Sequence, residues 1–459
     1  MLISPKPLGG EQRRMSVATR VRKRKFPSVF TGFSWIQLRS HAHGLTWVVA
    51  GKGAFLGANA VLLLFLAQRL TVDSYGQMVV FIGAQVLISR VLLLGVDNGM
   101  IRLRTLPDLH ARDQEVIGAG LLVLMCTCGM LLLGTFVAGS FVNGSANSWW
   151  SPWTAIGVTV GSIGTALVDY GYAYHLTRWS YRTAALVQGG TAMVRLVATS
   201  VAVFLTSVFG GHFVLLVYAG VSFLSGLLQA GILTKRSHAW PAAEVVRRLL
   251  RYSLWQAGAS VTAVLSLYEG TFLLIFVNQR SETGIFGVGL TFSLGFFGIY
   301  VAFYEYFFPR MVRTASLGLL PQVLVRTMGG AVLVILGCVA LIFAIGKLAP
   351  YLIKPALWGG VPVFYCLAAS MLLLILQSPF EAACQYLLRP GLVVFVWVVR
   401  VLCTALLGLA LAPTRGAMGL ALAQTGASAI GLIVIVSSTL IALRSANHRV
   451  PRAETACVS

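Results

Sequence analysis

Eight charged side chains lie inside otherwise apolar stretches of this chain: Lys52, Arg90, Arg195 and Arg400, and the acids Asp169, Glu269, Glu305 and Glu381. A Lys or Arg at the middle of a membrane span costs about 2.5–3.5 kcal/mol on insertion scales, so each calls for a reason. Four cations drawn from separate spans, if they converge on a water-filled cavity, would suit a phosphate-bearing ligand, since Arg grips an oxyanion bidentately. The acids offer two chemistries: ion pairs that orient helices, or sites where H⁺ or Na⁺ binds. Asp97 lies seven residues after Arg90, on nearly the same helical face and about 10 Å further along the axis. Thr262, Ser266 and Glu269 form one polar stripe with Gly258 a turn earlier. That stripe has three readings: it lines the cavity, Glu269 binds a coupling ion, or the small polar side chains hydrogen-bond between helices.

Other chemistries find little support. Cys126-Thr-Cys128 has no His or carboxylate near it, and five of the seven cysteines sit in apolar spans, so neither a metal site nor disulfides are expected. No catalytic residue and no cofactor is expected beyond a coupling H⁺ or Na⁺. The aromatic run YVAFYEYFFPR places Tyr300, Phe303, Tyr304 and Phe307 on one helix face; rings so placed could stack on sugars, but an interfacial belt explains them equally.

The elements that must position these groups follow from composition. With 459 residues, 57% hydrophobic and only 10% charged, the chain reads as an integral membrane protein. Windows of about 20 apolar residues, enough to cross roughly 30 Å of hydrocarbon, fall near 45–67, 78–98, 116–140, 153–174, 184–208, 212–234, 253–277, 285–308, 328–346, 359–381, 391–412 and 417–442. The net charge of +22 then becomes a statement about topology. Starting inside, 26 of the 35 Lys and Arg fall on inner segments, which puts both termini in the cytoplasm and removes most of the case for nucleic acid. The basic first 44 residues contain no apolar core of signal-peptide length, so no cleaved signal is expected. Within them FTGFSWIQL reads either as a short segment lying in the headgroup layer or as an irregular start.

The chain also repeats itself. QRLTVDSYG at 68–76 and QRSETGIFG at 279–287 share Gln-Arg, an acid, and an aromatic-Gly pair seven residues after the Gln. Each copy follows an odd-numbered span. Trp47 with Ala50-Gly51 and Trp255 with Ala257-Gly258 open the matching spans, and Arg104-Thr105 and Arg313-Thr314 close the next ones. Two parallel halves of six spans are therefore expected, with a cavity between them near mid-membrane. The division is a cytoplasmic tail at 1–44, an N-lobe at 45–234, a basic linker at 235–251, a C-lobe at 252–442 and a tail at 443–459. In the linker, Val245, Val246, Leu249 and Leu250 oppose Arg247, Arg248 and Arg251, which reads either as a surface helix linking the lobes and facing anionic headgroups or as an ordinary basic cytoplasmic loop.

The twelve spans in two halves, the span-one exit FLAQRLTVDSYGQ, the span-two exit LLLGVDNGMIRLRT and the span-eight ending YFFPRMVR resemble the polysaccharide branch of the multidrug/oligosaccharidyl-lipid/polysaccharide (MOP) exporter superfamily, over roughly residues 40–445. The resemblance implies an all-α fold of two six-helix lobes that flips an undecaprenyl-pyrophosphate-linked oligosaccharide across the bacterial inner membrane. It implies alternating access around a cationic cavity, with the lipid tail left in the bilayer. Membrane lipids, a glycan polymerase and other polysaccharide-assembly proteins would be its partners. Chemistry and depth alone propose Lys52, Arg90, Arg195 and Arg400 for the cavity, and Glu269, Ser266, Thr262, Asp169, Glu305 and Glu381 for ion coupling or its polar lining. Two alternatives stand beside this. A cation-coupled multidrug exporter of the same superfamily would want an acidic cavity, and a membrane glycan polymerase or ligase would want a long folded outer loop.

Overall fold

The computed structural model describes residues 35–103, 113–141, 151–178, 180–205, 211–236, 240–277, 279–314, 320–387 and 390–447. The basic tail before residue 35, with the start of FTGFSWIQL, and the tail after residue 447 lie outside the described residues. Those described form twelve α-helices: α1 (Trp35–Arg69), α2 (Val72–Leu93), α3 (Val96–Leu103), α4 (Asp113–Phe141), α5 (Pro152–Thr177), α6 (Tyr181–Phe204), α7 (Gly211–Thr234), α8 (Ala243–Phe276), α9 (Arg280–Thr314), α10 (Leu320–Leu352), α11 (Gly360–Tyr386) and α12 (Pro390–Asn447). Ten are long and apolar enough to cross a membrane. The exceptions are α3, with eight residues, and α5, which is long but diluted by Asp169 and many Gly, Thr and Tyr. Helices dominate because backbone polar groups in hydrocarbon must be satisfied within their own segment. Large apolar side chains such as Phe136, Leu333 and Phe343 remain exposed on the helix surfaces, as a lipid solvent allows.

The twelve apolar windows fall on this framework with three differences. The second breaks: α2 ends at Leu93, Leu94 and Gly95 both take positive φ, and α3 resumes at Val96. Gly95 is required there twice over, by its φ of 68° and because an added Cβ would collide with the Ser253 carbonyl oxygen of α8. The last two windows belong to one 58-residue helical stretch that reverses at a single non-helical residue, Gly416. The Glu282 carboxylate of α9 accepts a 2.9 Å hydrogen bond from the Ala417 N–H, capping the second arm from another helix. The third difference is the basic linker. Its second half is not a separate surface helix but the first turns of α8, with Val245 and Leu249 buried and Arg247, Arg248 and Arg251 exposed.

The helices pack as two groups. In the first group α5 is central, touching α2, α3, α4, α6 and α7; in the second, α11 packs on α9, α10 and α12, and α8 on α12. Between the groups, α2 runs against α8 and α9, and α3 and α4 lie on α8. The two copies of the repeated motif meet each other. A Cβ on Gly76 would sit 2.9 Å from the Gly284 nitrogen, and one on Gly284 would sit 2.5 Å from the Val72 carbonyl oxygen. Beside this backbone-to-backbone crossing, the fully buried Tyr75 hydroxyl shares a 2.9 Å hydrogen bond with Thr291. Lys354 donates to the Leu70 carbonyl and Gln68 to that of Leu352, both at 2.9 Å, closing the same end.

Candidate functional site

The embedded charges resolve into separate environments. In the first half, Arg90 pairs with Asp169 of α5 at 2.9 Å and with Asp97 of α3 at 3.6 Å. An unbroken helix would hold Asp97 about 10 Å along the axis from Arg90; the bend at Leu94–Gly95 turns α3 back and makes the contact direct. One cation therefore faces two carboxylates. Lys52 is half-buried on α1 between Gly51, whose added Cβ would meet Ala185, and Gly53, whose side-chain position opens onto empty space.

In the second half a polar cluster fills the space among α8, α9, α11 and α12. Arg400 is fully buried, stacks 5.1 Å from the Trp397 ring centre and donates a 3.1 Å hydrogen bond to Ser370, which in turn shares a 2.6 Å bond with Ser428. Its electrostatic neighbours are Glu381 and Glu269. Glu381 accepts from the Tyr300 hydroxyl at 2.5 Å and from Gln377 at 2.7 Å. Among the described residues, several buried polar atoms here have no hydrogen-bond partner: Arg400 Nε and Nη1, Glu269 Oε2, Gln377 Oε1, Gln424 Oε1, Ser266 Oγ and Thr404 Oγ1.

The Thr262–Ser266–Glu269 stripe faces into this cluster. The Ser266 carbonyl accepts a 2.8 Å bond from Gln424 of α12, Gly258 lies against Val394 of α12, and Glu269 addresses Arg400. The Thr262 hydroxyl is turned back on its own helix, 2.6 Å from the Gly258 carbonyl. The face of α8 that meets the first half is a different one: Ser253 and Ala257 against Gly95, and Tyr268 against Gly83. The side chains of Glu305 and Phe307 lie outside the described residues. Tyr300, expected on an aromatic face, is instead the hydrogen-bond donor that holds Glu381.

Arg195 stands apart. It is 5% exposed, and its guanidinium lies 4.6 Å above the Tyr218 ring centre while Nη1 donates to the Tyr218 hydroxyl at 3.0 Å. Among the described residues Nε has no partner and no carboxylate pairs with the guanidinium. Gln188, Thr191 and Thr199 share its helical face, and Gln188 Oε1 and Thr199 Oγ1 are likewise unpartnered. Tyr218 has Tyr268 of α8 as an electrostatic neighbour, and Tyr268 borders a small crevice between the halves with Leu63, Val79, Ile82, Leu290, Thr291 and Leu294. That crevice measures about 10 Å³, room for a single water. None of the four embedded cations lines it: Arg90 lies against Asp169 and Asp97, Arg400 within the polar cluster and Arg195 against Tyr218.

The sequence alone does not single out Tyr218, Gln377 or Trp397, and it places Tyr300 only on an aromatic face. A usable signal existed for two of them: Gln377 lies one helical turn before Glu381, and Trp397 three residues before Arg400.

No protein-family model matches the chain, and no curated protein matches it in sequence. Solved structures are similar. The MATE multidrug transporter DinF-BH, in a ligand complex, superposes with a TM-score of 0.66 at 15% identity, over 87% of this chain and 94% of that one. The lipid II flippase MurJ, in an inward closed conformation, gives 0.63 at 12% identity, over 86% and 87%. A MOP superfamily transporter from Pyrococcus furiosus, described as having a binding pocket of reverse polarity, gives 0.55 at 12%, over 89% and 96%. The chain is thus an all-α, multi-pass membrane protein with the fold of MATE and MurJ transporters of the MOP superfamily.

Proposed function

We propose that this protein is a transporter that flips an undecaprenyl-pyrophosphate-linked oligosaccharide from the inner to the outer leaflet of the bacterial inner membrane, for synthesis of a surface polysaccharide. The observation that carries the reading is Arg195. A buried guanidinium with no carboxylate is expensive, and a diphosphate is the kind of ligand that would repay it with charge-assisted, bidentate hydrogen bonds. Arg90 and Arg400 already face carboxylates, so their role is to hold helices or to exchange partners during the cycle. Lys52, half-buried on α1, is a second candidate contact for the head group. The small crevice belongs to a state in which the halves are closed on one another; substrate entry requires them to part, as in alternating access. Moving a diphosphate head through hydrocarbon unaided costs many kcal/mol, and a wet chamber with a fixed cation lowers that barrier. Glu269, with a buried unpartnered carboxylate oxygen, is the residue we assign to H⁺ or Na⁺ coupling.

The decisive test combines a deletion strain with Arg195→Gln. Loss of the protein should leave lipid-linked oligosaccharide accumulating in the inner leaflet, and Arg195→Gln at normal protein level should reduce export about 10- to 100-fold, the worth of one charge-assisted contact. Full export by Arg195→Gln would overturn the assignment. Unpolymerised units appearing outside the cell would point instead to a polymerase. A second reading, a cation-coupled multidrug exporter, draws on the excess of acid over base around Arg400. It requires Glu269→Gln to abolish drug efflux while glycan export proceeds.

A further inference from the structure

α8 is too long for the membrane it crosses. Its 34 residues extend about 51 Å at 1.5 Å per residue, whereas roughly 20 residues suffice for the hydrocarbon. Counted back from Phe276, the crossing ends near Trp255, and the helix continues into the headgroup layer. The exposed side of that extension carries Arg247 and Arg251, four residues apart and therefore adjacent on the surface. Neither has a carboxylate partner among the described residues; Glu244 is taken by Arg248 at 2.6 Å. The same side then becomes apolar, with Leu254 56% and Trp255 54% exposed. Across from it, α12 contributes Gly391, where an added Cβ would come within 3.4 Å of the Trp255 ring, and the exposed Phe395. The result is a valley with paired cations at its mouth and an apolar floor, opened by the missing side chain at Gly391.

We infer that this valley between α8 and α12 binds an anionic phospholipid, its headgroup phosphate held by Arg247 and Arg251 and an acyl chain lying over Leu254, Trp255 and Phe395. The occupant is chosen by charge and depth together. Two unpaired arginines select an anionic head, and the apolar floor, beginning where the hydrocarbon begins, selects a molecule with a tail. Tryptophan at that boundary suits the headgroup–acyl junction. This site is independent of Arg195 and of the proposed transport activity.

The full-length protein in detergent can be titrated with phosphatidylglycerol and with phosphatidylcholine, and bound lipid read by native mass spectrometry. Phosphatidylglycerol should be retained preferentially, and Arg247→Gln with Arg251→Gln should weaken retention about 30-fold, the effect of two headgroup-facing arginines. Gly391→Leu, which fills the valley and leaves both charges, should weaken it as well. Equal retention of the two lipids, unchanged retention in both variants, or full displacement by inorganic phosphate, which would mark the arginines as a site for a soluble anion, would each overturn the inference.

Discussion

Arg195 and Arg400 are both buried arginines in membrane-crossing helices, one in each half, yet their surroundings are opposite. Arg400 is surrounded: Glu381, Glu269, Ser370 and the Trp397 ring all address it. Arg195 has an aromatic ring and one hydroxyl. The difference lies in the side chains around each guanidinium. A guanidinium with carboxylates near it has its charge offset within the fold, even where, as at Arg400, two of its nitrogens lack a hydrogen-bond partner among the described residues. One with a tyrosine alone is held in place without being neutralised, which is the condition of a receptor for something negative.

The largest effect that would sharpen this contrast is on stability. Glu381→Gln strips Arg400 of a carboxylate and should lower unfolding free energy in detergent by about 3–5 kcal/mol, the usual result of breaking a buried ionic arrangement from one side. Adding Arg400→Met should restore most of that loss. Arg195→Gln, by contrast, should leave the denaturation midpoint nearly unchanged while transport falls. If the two single variants lose stability equally, the halves do not differ as described.

The seam comes next. Gly284→Ala drives a methyl into the Val72 carbonyl and should cost about 1–3 kcal/mol, read in the same denaturation assay; a neutral outcome would mean the two motif copies are not in tight contact. Smallest is Glu282→Ala, which removes the cap on the second arm of α12 and should cost about 0.5–2 kcal/mol, with hydrogen exchange at Ala417 rising first.

Much of the fold is readable because lipid imposes its own ruler: a span needs about 20 apolar residues, and the windows recur at that length. The repeat is readable because Gln, Arg and aromatic-Gly stand at matching positions. Bends are not. Nothing in Leu94 marks it for a left-handed conformation, and Gly416 is one glycine among 48. Pairing of charges is the least legible, because it depends on which helices touch. Asp169 is 79 residues from the arginine it meets, and helical spacing alone lets that arginine reach Asp97 only through intervening water. The stripe through Glu269 is recognisable as interior-facing, but which interior it faces, the space between the halves or the packing within one, is decided by α12 and not by the spacing of three residues.

The crossing of Gly76 and Gly284 has a consequence for how such a protein can vary. The joint is made largely of main-chain atoms, which are the same in every residue, so it demands small residues at two positions and is indifferent to most of the rest. Mutations can therefore accumulate widely along α2 and α9 without prising the junction apart, while the few that add even one carbon at its centre act far out of proportion to their size.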